Sequence, residues 1–279
     1  MKKSVFVFGV ILSFNTYAEI ITGEACGEHC TWKIEDGVLT LTGYGDIKNY
    51  SRNYTDPATY ACPCSTTAPW GQYSDIVNKI VIENQSEDYK FTSIGNHAFE
   101  NMEHTKEVVL SNGLTSIGME AFNQNFLLDK INFPDTLSSI GWQAFGFAAF
   151  DEITLPQSLA TIEDRAFCNN ENLSNVVIPE SVTQLYPSAF GNEEKPNTPL
   201  NILFCSENLK DQCQAAVAWR NGVASVQSYS KEGNRYEADG IKYKSLSDMQ
   251  NGIPVKRIYT IEEANAVAGD KNRVSIKYR

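Results

Sequence analysis

The sequence predicts an α/β repeat solenoid. Its coils of about 23 residues stack between a β-hairpin cap at the N-terminal end and a small α+β module at the C-terminal end. Three observations carry this expectation. An Ala-Phe pair recurs at Phe99, Phe122, Phe145, Phe167 and Phe190, so that the phenylalanines stand 23, 23, 22 and 23 residues apart. Between the pairs run short alternating apolar segments: Val108 and Leu110, Ile131 and Phe133, Ile153 and Leu155, Val176 and Ile178. Apolar residues make up 42% of the chain and charged ones 20%, which excludes a wholly disordered chain.

In chain order, residues 1–18 read as a signal peptide. Lys2 and Lys3 precede the apolar run Val5–Phe14, and Ala18 offers a small residue at the cleavage point. The run is too short to span a bilayer, and nothing later in the chain is apolar enough to do so. A chain starting at Glu19 loses two lysines, taking the net charge from −11 to −13. That acidity argues against nucleic acid and anionic lipid as partners. Export delivers the chain outside the cell, to its surface or to the periplasm, where disulfides persist. Cys26, Cys30, Cys62, Cys64, Cys205 and Cys213 are therefore expected to form disulfides. The spacing of the first four fits no zinc module, and their connectivity stays open among three arrangements.

Residues 19–79 read as the N-terminal β cap. Thr31–Glu35 and Val38–Thr42 alternate around Asp36-Gly37, a two-residue hairpin signal. Gly43 and Gly45 resemble a phosphate loop only superficially, because the third glycine, the lysine and the following helix are missing. Residues 80–204 are the repeats. Each unit predicts one short strand, a turn, and a short helical or 3₁₀ piece carrying Ala-Phe. Pro134, Pro156 and Pro179 end three of the strands, since proline cannot donate to a ladder. One unit cannot bury its own apolar face, so neighbours must stack.

The segments Ile94-Gly95-Asn-His-Ala98-Phe99, Ile117-Gly118-Met-Glu-Ala121-Phe122 and Ile140-Gly141-Trp-Gln-Ala144-Phe145, with Ile162 and Leu185 opening two further copies, resemble the leucine-rich repeats of the BspA-like, or Treponema pallidum, class. The resemblance covers about Ile80 to Phe204. It departs from the pattern at Met102, Asn125, Ala148 and Asn170, where the family carries a cysteine-like position, and at Thr105. It implies a leucine-rich-repeat stack and the adhesin-like or surface roles of that family. The lead-in Thr42-Gly-Tyr-Gly-Asp46, followed by Pro69-Trp70, resembles the segment that precedes such repeats.

Residues 205–230 read as a capping helix and linker, with a helix over 207–221 bringing Cys213 back towards Cys205. Residues 231–279 read as a small α+β module. Asp239-Gly240 signals a hairpin, Pro254–Tyr259 a strand, Thr260 and Glu263 a capping box, and Arg273–Arg279 a last strand. Residues 251–279 carry +3 against −16 for residues 19–250.

No motif for nucleophilic, metal or phosphate chemistry is present, so neither enzyme activity nor a cofactor is expected. The three histidines leave little for catalysis, and His97 is expected to be exposed in a variable slot. Function is expected on the strand face, where side chains between the buried pairs point outward. That column is Val81, Val109, Asn132, Thr154 and Val177, continuing to Leu203, with Glu107, Lys130 and Glu152 alongside. Apolar and polar residues rimmed by charge suit a protein partner, either a host or a bacterial surface protein. A different role, as an envelope assembly component docked by the C-terminal module, fits the same composition. Cys168 is the odd cysteine. It follows a repeat phenylalanine at a position filled elsewhere by Glu100, Asn123, Gly146 and Gly191, so the sequence leaves two readings open: an exposed thiol that forms a partial disulfide-linked dimer, or a cysteine tucked into the coil as a small apolar residue.

Overall fold

The computed structural model describes residues 20–53, 65–191, 202–217, 225–232, 235–238, 241–243 and 246–250. The signal peptide, Cys62, Cys64 and the elements expected within 251–279 lie outside the described residues. Near the N-terminus, β1 (Ile21–Gly23), β2 (His29–Glu35) and β3 (Val38–Ile47) form an antiparallel meander. Asp36 and Gly37 both take positive φ (50° and 77°), which the two-residue hairpin turn requires. A short pair, β4 (Arg52–Asn53) with β5 (Ser65–Thr66), follows.

Strand β3 connects the two sides of the stack. Residues 38–43 pair in parallel with β6 (Lys79–Asn84), and after an irregularity at Gly45/Asp46 residues 45–47 pair with β7 (Phe91–Ile94). On one side the ladder continues from β6 through β8 (Glu107–Val109) to β10 (Lys130–Asn132). On the other it continues from β7 through β9 (Ser116–Ile117), β11 (Ser139–Ile140) and β12 (Thr161–Ile162) to β14 (Gln184–Leu185). Apart from the coil at Ile153, whose segment forms no regular strand, the coils add strands to these two sides, and every step of the two ladders is parallel, as stacking of like coils demands.

The core is a column of aromatic rings. Trp70, Phe99, Phe122, Phe145, Phe167 and Phe190 are fully buried, with successive centroids 5.3, 5.1, 5.2, 5.4 and 5.3 Å apart and near-parallel planes. Because the phenylalanine recurs once per coil, the rings superpose along the stack. Trp70 closes the column and anchors itself by donating from Nε1 to the Ala98 carbonyl (2.8 Å). The departures at Asn125 and Asn170 tie coils together. Asn125 Oδ1 accepts from the Met102 N–H of the previous coil (2.7 Å), and Asn170 Nδ2 donates to the carbonyl of Phe145 (2.8 Å).

At the far end, β13 (Asn175–Val177) pairs with β15 (Ile202–Ser206), which starts a second sheet through β16 (Ser225–Glu232), β17 (Arg235–Ala238) and β18 (Ile241–Tyr243). The helix predicted over 207–221 is a 3₁₀ turn, Glu207–Leu209, running into α1 (Lys210–Ala216); residues 218–221 lie outside the described residues. Carbonyls of α1 accept the N–H groups of Ser188 and Phe190 from the last coil (3.0 and 2.9 Å), so they meet the donors a further coil would have met. A disulfide joins Cys205 to Cys213, and another joins Cys26 to Cys30. Strand β16 and a short helix α2 (Leu246–Gln250) stand where sequence reading saw only a polar stretch and a connection.

Candidate protein-binding face

The register of β6, β8 and β10 sets Val81, Val109 and Asn132 side by side, with Lys79, Glu107 and Lys130 in the adjacent row. Alternation sends Ile80 and Val108 inward (0% and 1% exposed) and leaves Val81 and Val109 half-buried and Asn132 exposed on the outer face. Lys79 Nζ reaches Glu107 Oε1 at 2.9 Å across the ladder. Asn132 is held in place by the fold: its amide accepts from the Leu110 N–H and donates to the Leu110 carbonyl, both at 2.8 Å, with one N–H and one lone pair to spare. Thr154, Lys130 and Glu152 are exposed.

Val177 departs from the expected open column. It is 4% exposed, beneath a second apolar cluster of Phe204, Tyr229, Ala238, Tyr243 and Met249. The chain covers its own face here. Tyr229 donates to the Ile178 carbonyl (2.8 Å), and the buried Gln250 of α2 donates from Nε2 to the Ile153 carbonyl (2.7 Å) while its own carbonyl accepts from Asn175 Nδ2 (3.2 Å). The coil at Ile153 belongs to the one 22-residue spacing and makes no regular strand, so α2 takes up a carbonyl that the ladder leaves. The column also ends differently. Phe204 pairs with Val177 on the covered face, whereas Leu203 enters the main core.

Two further expectations change on the opposite side of the coils. The position after each phenylalanine faces inward: Glu100 and Asn123 are fully buried and Cys168 is 4% exposed. Its polar residues find protein partners there: Asn123 donates from Nδ2 to Glu100 Oε1 (3.3 Å) and accepts from Gln143 Nε2 (3.2 Å). Cys168 is therefore enclosed within the stack, and the exposed thiol expected for a disulfide dimer does not exist in this fold. His97, expected in the open, is half-buried in a charged cluster. Its Nδ1 lies 2.8 Å from Glu100 Oε2 and 3.0 Å from Glu120 Oε2. Arg52 of β4 binds both carboxylates, reaching Glu100 through Nε at 2.7 Å and Glu120 through Nη2 at 2.5 Å. The bond to Glu100, then that to Glu120, lift the His97 pKa from 6.5 to about 9 against the effect of burial. Burial pushes Glu100 up, but the bonds from His97 and Arg52 outweigh it and hold its carboxyl below the ordinary range. Although His97, Glu100 and Glu120 converge closely enough to ligate a cation, Arg52 and protonated His97 already balance the two carboxylates. The cluster joins the segment before the repeats to the first two coils. No signal in the sequence marked it, because Arg52 lies 48 residues from Glu100.

Residues 73–197 match the model of the BspA type leucine rich repeat region, in six copies. The repeats are of the BspA type. Solved structures similar to this chain include a leucine-rich repeat protein from Eubacterium ventriosum, at 18% identity over 76% of this chain and 73% of that one (TM-score 0.42). The T. pallidum leucine-rich repeat protein is 20% identical over 65% and 71% (TM-score 0.42), and a Bacteroides ovatus protein 22% identical over 69% and 50% (TM-score 0.42). No curated protein matches. The BspA-type repeats over residues 73–197 account for the parallel ladders and the ring column, and leucine-rich repeats imply protein–protein interaction. Among the described residues no helix is long and apolar enough to cross a membrane.

Proposed function

We propose that this is a secreted or surface-exposed protein that recognises another protein through the open part of its strand face, around Val81, Val109, Asn132 and Thr154 with Glu107, Lys130 and Glu152 at the rim. One observation supports this above others. Val109 and Val177 hold equivalent places in their coils, and at Val177 the face accepts an aromatic and helical segment of the chain itself. A surface that takes Tyr229 and Met249 at one end offers the same rigid row of alternating side chains at the other. Export rests on the leader-like residues 1–18 and the disulfides. Arginine at Val109 and Thr154 together should abolish capture of a cognate surface protein by the immobilised chain, with circular dichroism unchanged. Undiminished capture would move the site off the strand face. The envelope-assembly reading predicts instead that capture is lost when residues 235–279 are removed and kept by the arginine variant.

A further inference from the structure

A second surface feature lies away from the strand face, at the corner where β3 passes from one side of the stack to the other. The segment Thr42-Gly-Tyr-Gly-Asp46 forms it, together with the loop closed by the Cys26–Cys30 disulfide. Between them is an open cleft of about 430 Å³. The corner is built for close approach. A Cβ at Gly27 would meet the Asp46 carbonyl at 2.6 Å, and one at Gly43 would meet the His29 carbonyl at 2.0 Å, so both must be glycine. Gly45 differs: it has φ of +81° and nothing within 4 Å of where a Cβ would stand. Its missing side chain leaves the cleft floor bare.

One wall is aromatic. His29 and Tyr44 are cross-strand partners whose rings stack at 4.2 Å and 15°, and Tyr89 lies against Tyr44 at 4.9 Å. His29 and Tyr89 are exposed, which is unusual for rings this well ordered by one another. The other wall is polar and held in place. Asp46 Oδ1 accepts from Thr92 Oγ1 (2.6 Å) and Ser93 Oγ (2.7 Å), leaving Oδ2 as an oriented acceptor. Asn49 Oδ1 accepts from the Asn96 N–H (2.8 Å), which aims its amide NH₂ outward as a donor. Glu28 and Lys48 add an exposed acceptor and donor at the edge.

We infer that this cleft binds a neutral saccharide, whose ring lies on the His29–Tyr44 stack while its hydroxyls bond Asp46 and Asn49. Aromatic faces beside fixed donors and acceptors match a sugar, which presents an apolar C–H face and a rim of hydroxyls that both give and accept. Other ligands fit less well. Two carboxylates against one lysine disfavour phosphate. Strand β3 pairs with β2 as far as Tyr44 and with β7 from Gly45 to Ile47, so an extended peptide would find only a three-residue stretch of one edge to join.

The test uses the chain from Glu19 and three uncharged probes: cellohexaose, xylohexaose and chitohexaose. Titration calorimetry should show saturable binding of at least one, with Kd at or below about 1 mM. His29→Ala, Tyr44→Ala and Asp46→Asn should each weaken it roughly tenfold or more, about one decade in Kd. His29→Phe, which restores a ring, should retain it. Val109→Arg should leave it intact, so this result and the strand-face result stand or fall separately. No binding of any of the three, or binding undiminished by His29→Ala and Asp46→Asn, would overturn the inference.

Discussion

Val109 and Val177 are the same residue at the same place in their coils, yet one is half-open and the other lies 4% exposed beneath Tyr229 and Met249. The difference does not come from the repeats. The ring column is alike at both ends, and both valines stand third in their strands. It comes from a non-repeating segment, β16 to α2, that folds back over the last coils. The periodic sequence decides which side chains point outward; the aperiodic sequence decides which of them meet solvent. The two ends are also fastened differently. Charge joins Arg52 to the first two coils, whereas a covalent bond between Cys205 and Cys213 holds α1 against the last.

The sharpest break in this comparison is to place arginine at both valines in turn. Val177→Arg forces a charge into the apolar cluster of Phe204, Tyr229 and Met249, and should destabilise by at least about 3 kcal/mol in chemical unfolding. Val109→Arg should stay within about 0.5 kcal/mol, as a surface substitution. Equal effects would mean that α2 does not cover the face in solution. The next effect separates the fastenings. Replacing Cys205 and Cys213 together by alanine opens an eight-residue link, worth about 2.5 kcal/mol in the chain-entropy model. Hydrogen exchange should then quicken at 202–216 and stay slow at 97–123.

How far the sequence was legible follows the same division. Ala-Phe spacing revealed the coil, its strand and its buried face, because a period repeated five times admits few other readings. The Asp36-Gly37 and Asp239-Gly240 hairpins were legible from turn chemistry, and the strands flanking each do pair antiparallel. Cover over Val177 was not legible, since it depends on contacts between residues as far apart as Ile153 and Gln250. Nor was the interior position of Glu100. A carboxylate beside a phenylalanine reads as exposed unless its partner Arg52 is known. Most obscure was the backbone. His97, Glu120, Gln143, Arg165 and Ser188 all have φ between 52° and 59°, though apart from His97 none of these residue types favours that conformation.

A third effect again distinguishes the two ends. The raised His97 pKa means that its contribution to stability is fully present below 6.5 and is lost as pH rises through about 9. Glu100 works the other way: its lowered pKa gives a contribution present above the ordinary 4.5 and lost as pH falls through its lower folded value. The melting temperature should therefore plateau between roughly pH 5 and 6.5 and decline towards pH 9 and beyond. His97→Gln should flatten the alkaline decline. A profile unchanged by that substitution would show that the network at Arg52, Glu100 and Glu120 does not depend on the imidazolium.

The smallest effect concerns the left-handed backbone, which recurs in every coil from His97 to Ser188 and so is common to both ends. Besides the five positions above, Asn101, Gln124, Phe147 and Asn169 take φ between 56° and 62°. The cause lies in the coil-to-coil bonding. Glu120, Phe122 and Gln124 all send their N–H groups to the next coil, onto the carbonyls of Trp142, Ala144 and Gly146 at 2.8, 2.8 and 2.9 Å. Alternate residues can aim three donors the same way only if the chain curls left-handed at 120 and 124. A side chain in that region costs roughly 1–2 kcal/mol relative to a conformation it prefers, and glycine escapes most of this at the expense of a more flexible unfolded chain. Gln124 is half-buried, and its backbone bond to Gly146 would survive a change of side chain. Gln124→Gly should accordingly raise stability by up to about 1 kcal/mol, whereas Ala at Gly118, whose Cβ would meet Asn96 Oδ1 at 2.5 Å and the Asn96 N at 2.8 Å, should lower it. A loss of stability from Gln124→Gly would mean that the inter-coil bonds do not compensate the left-handed turn and that unfolded-state entropy dominates at this position.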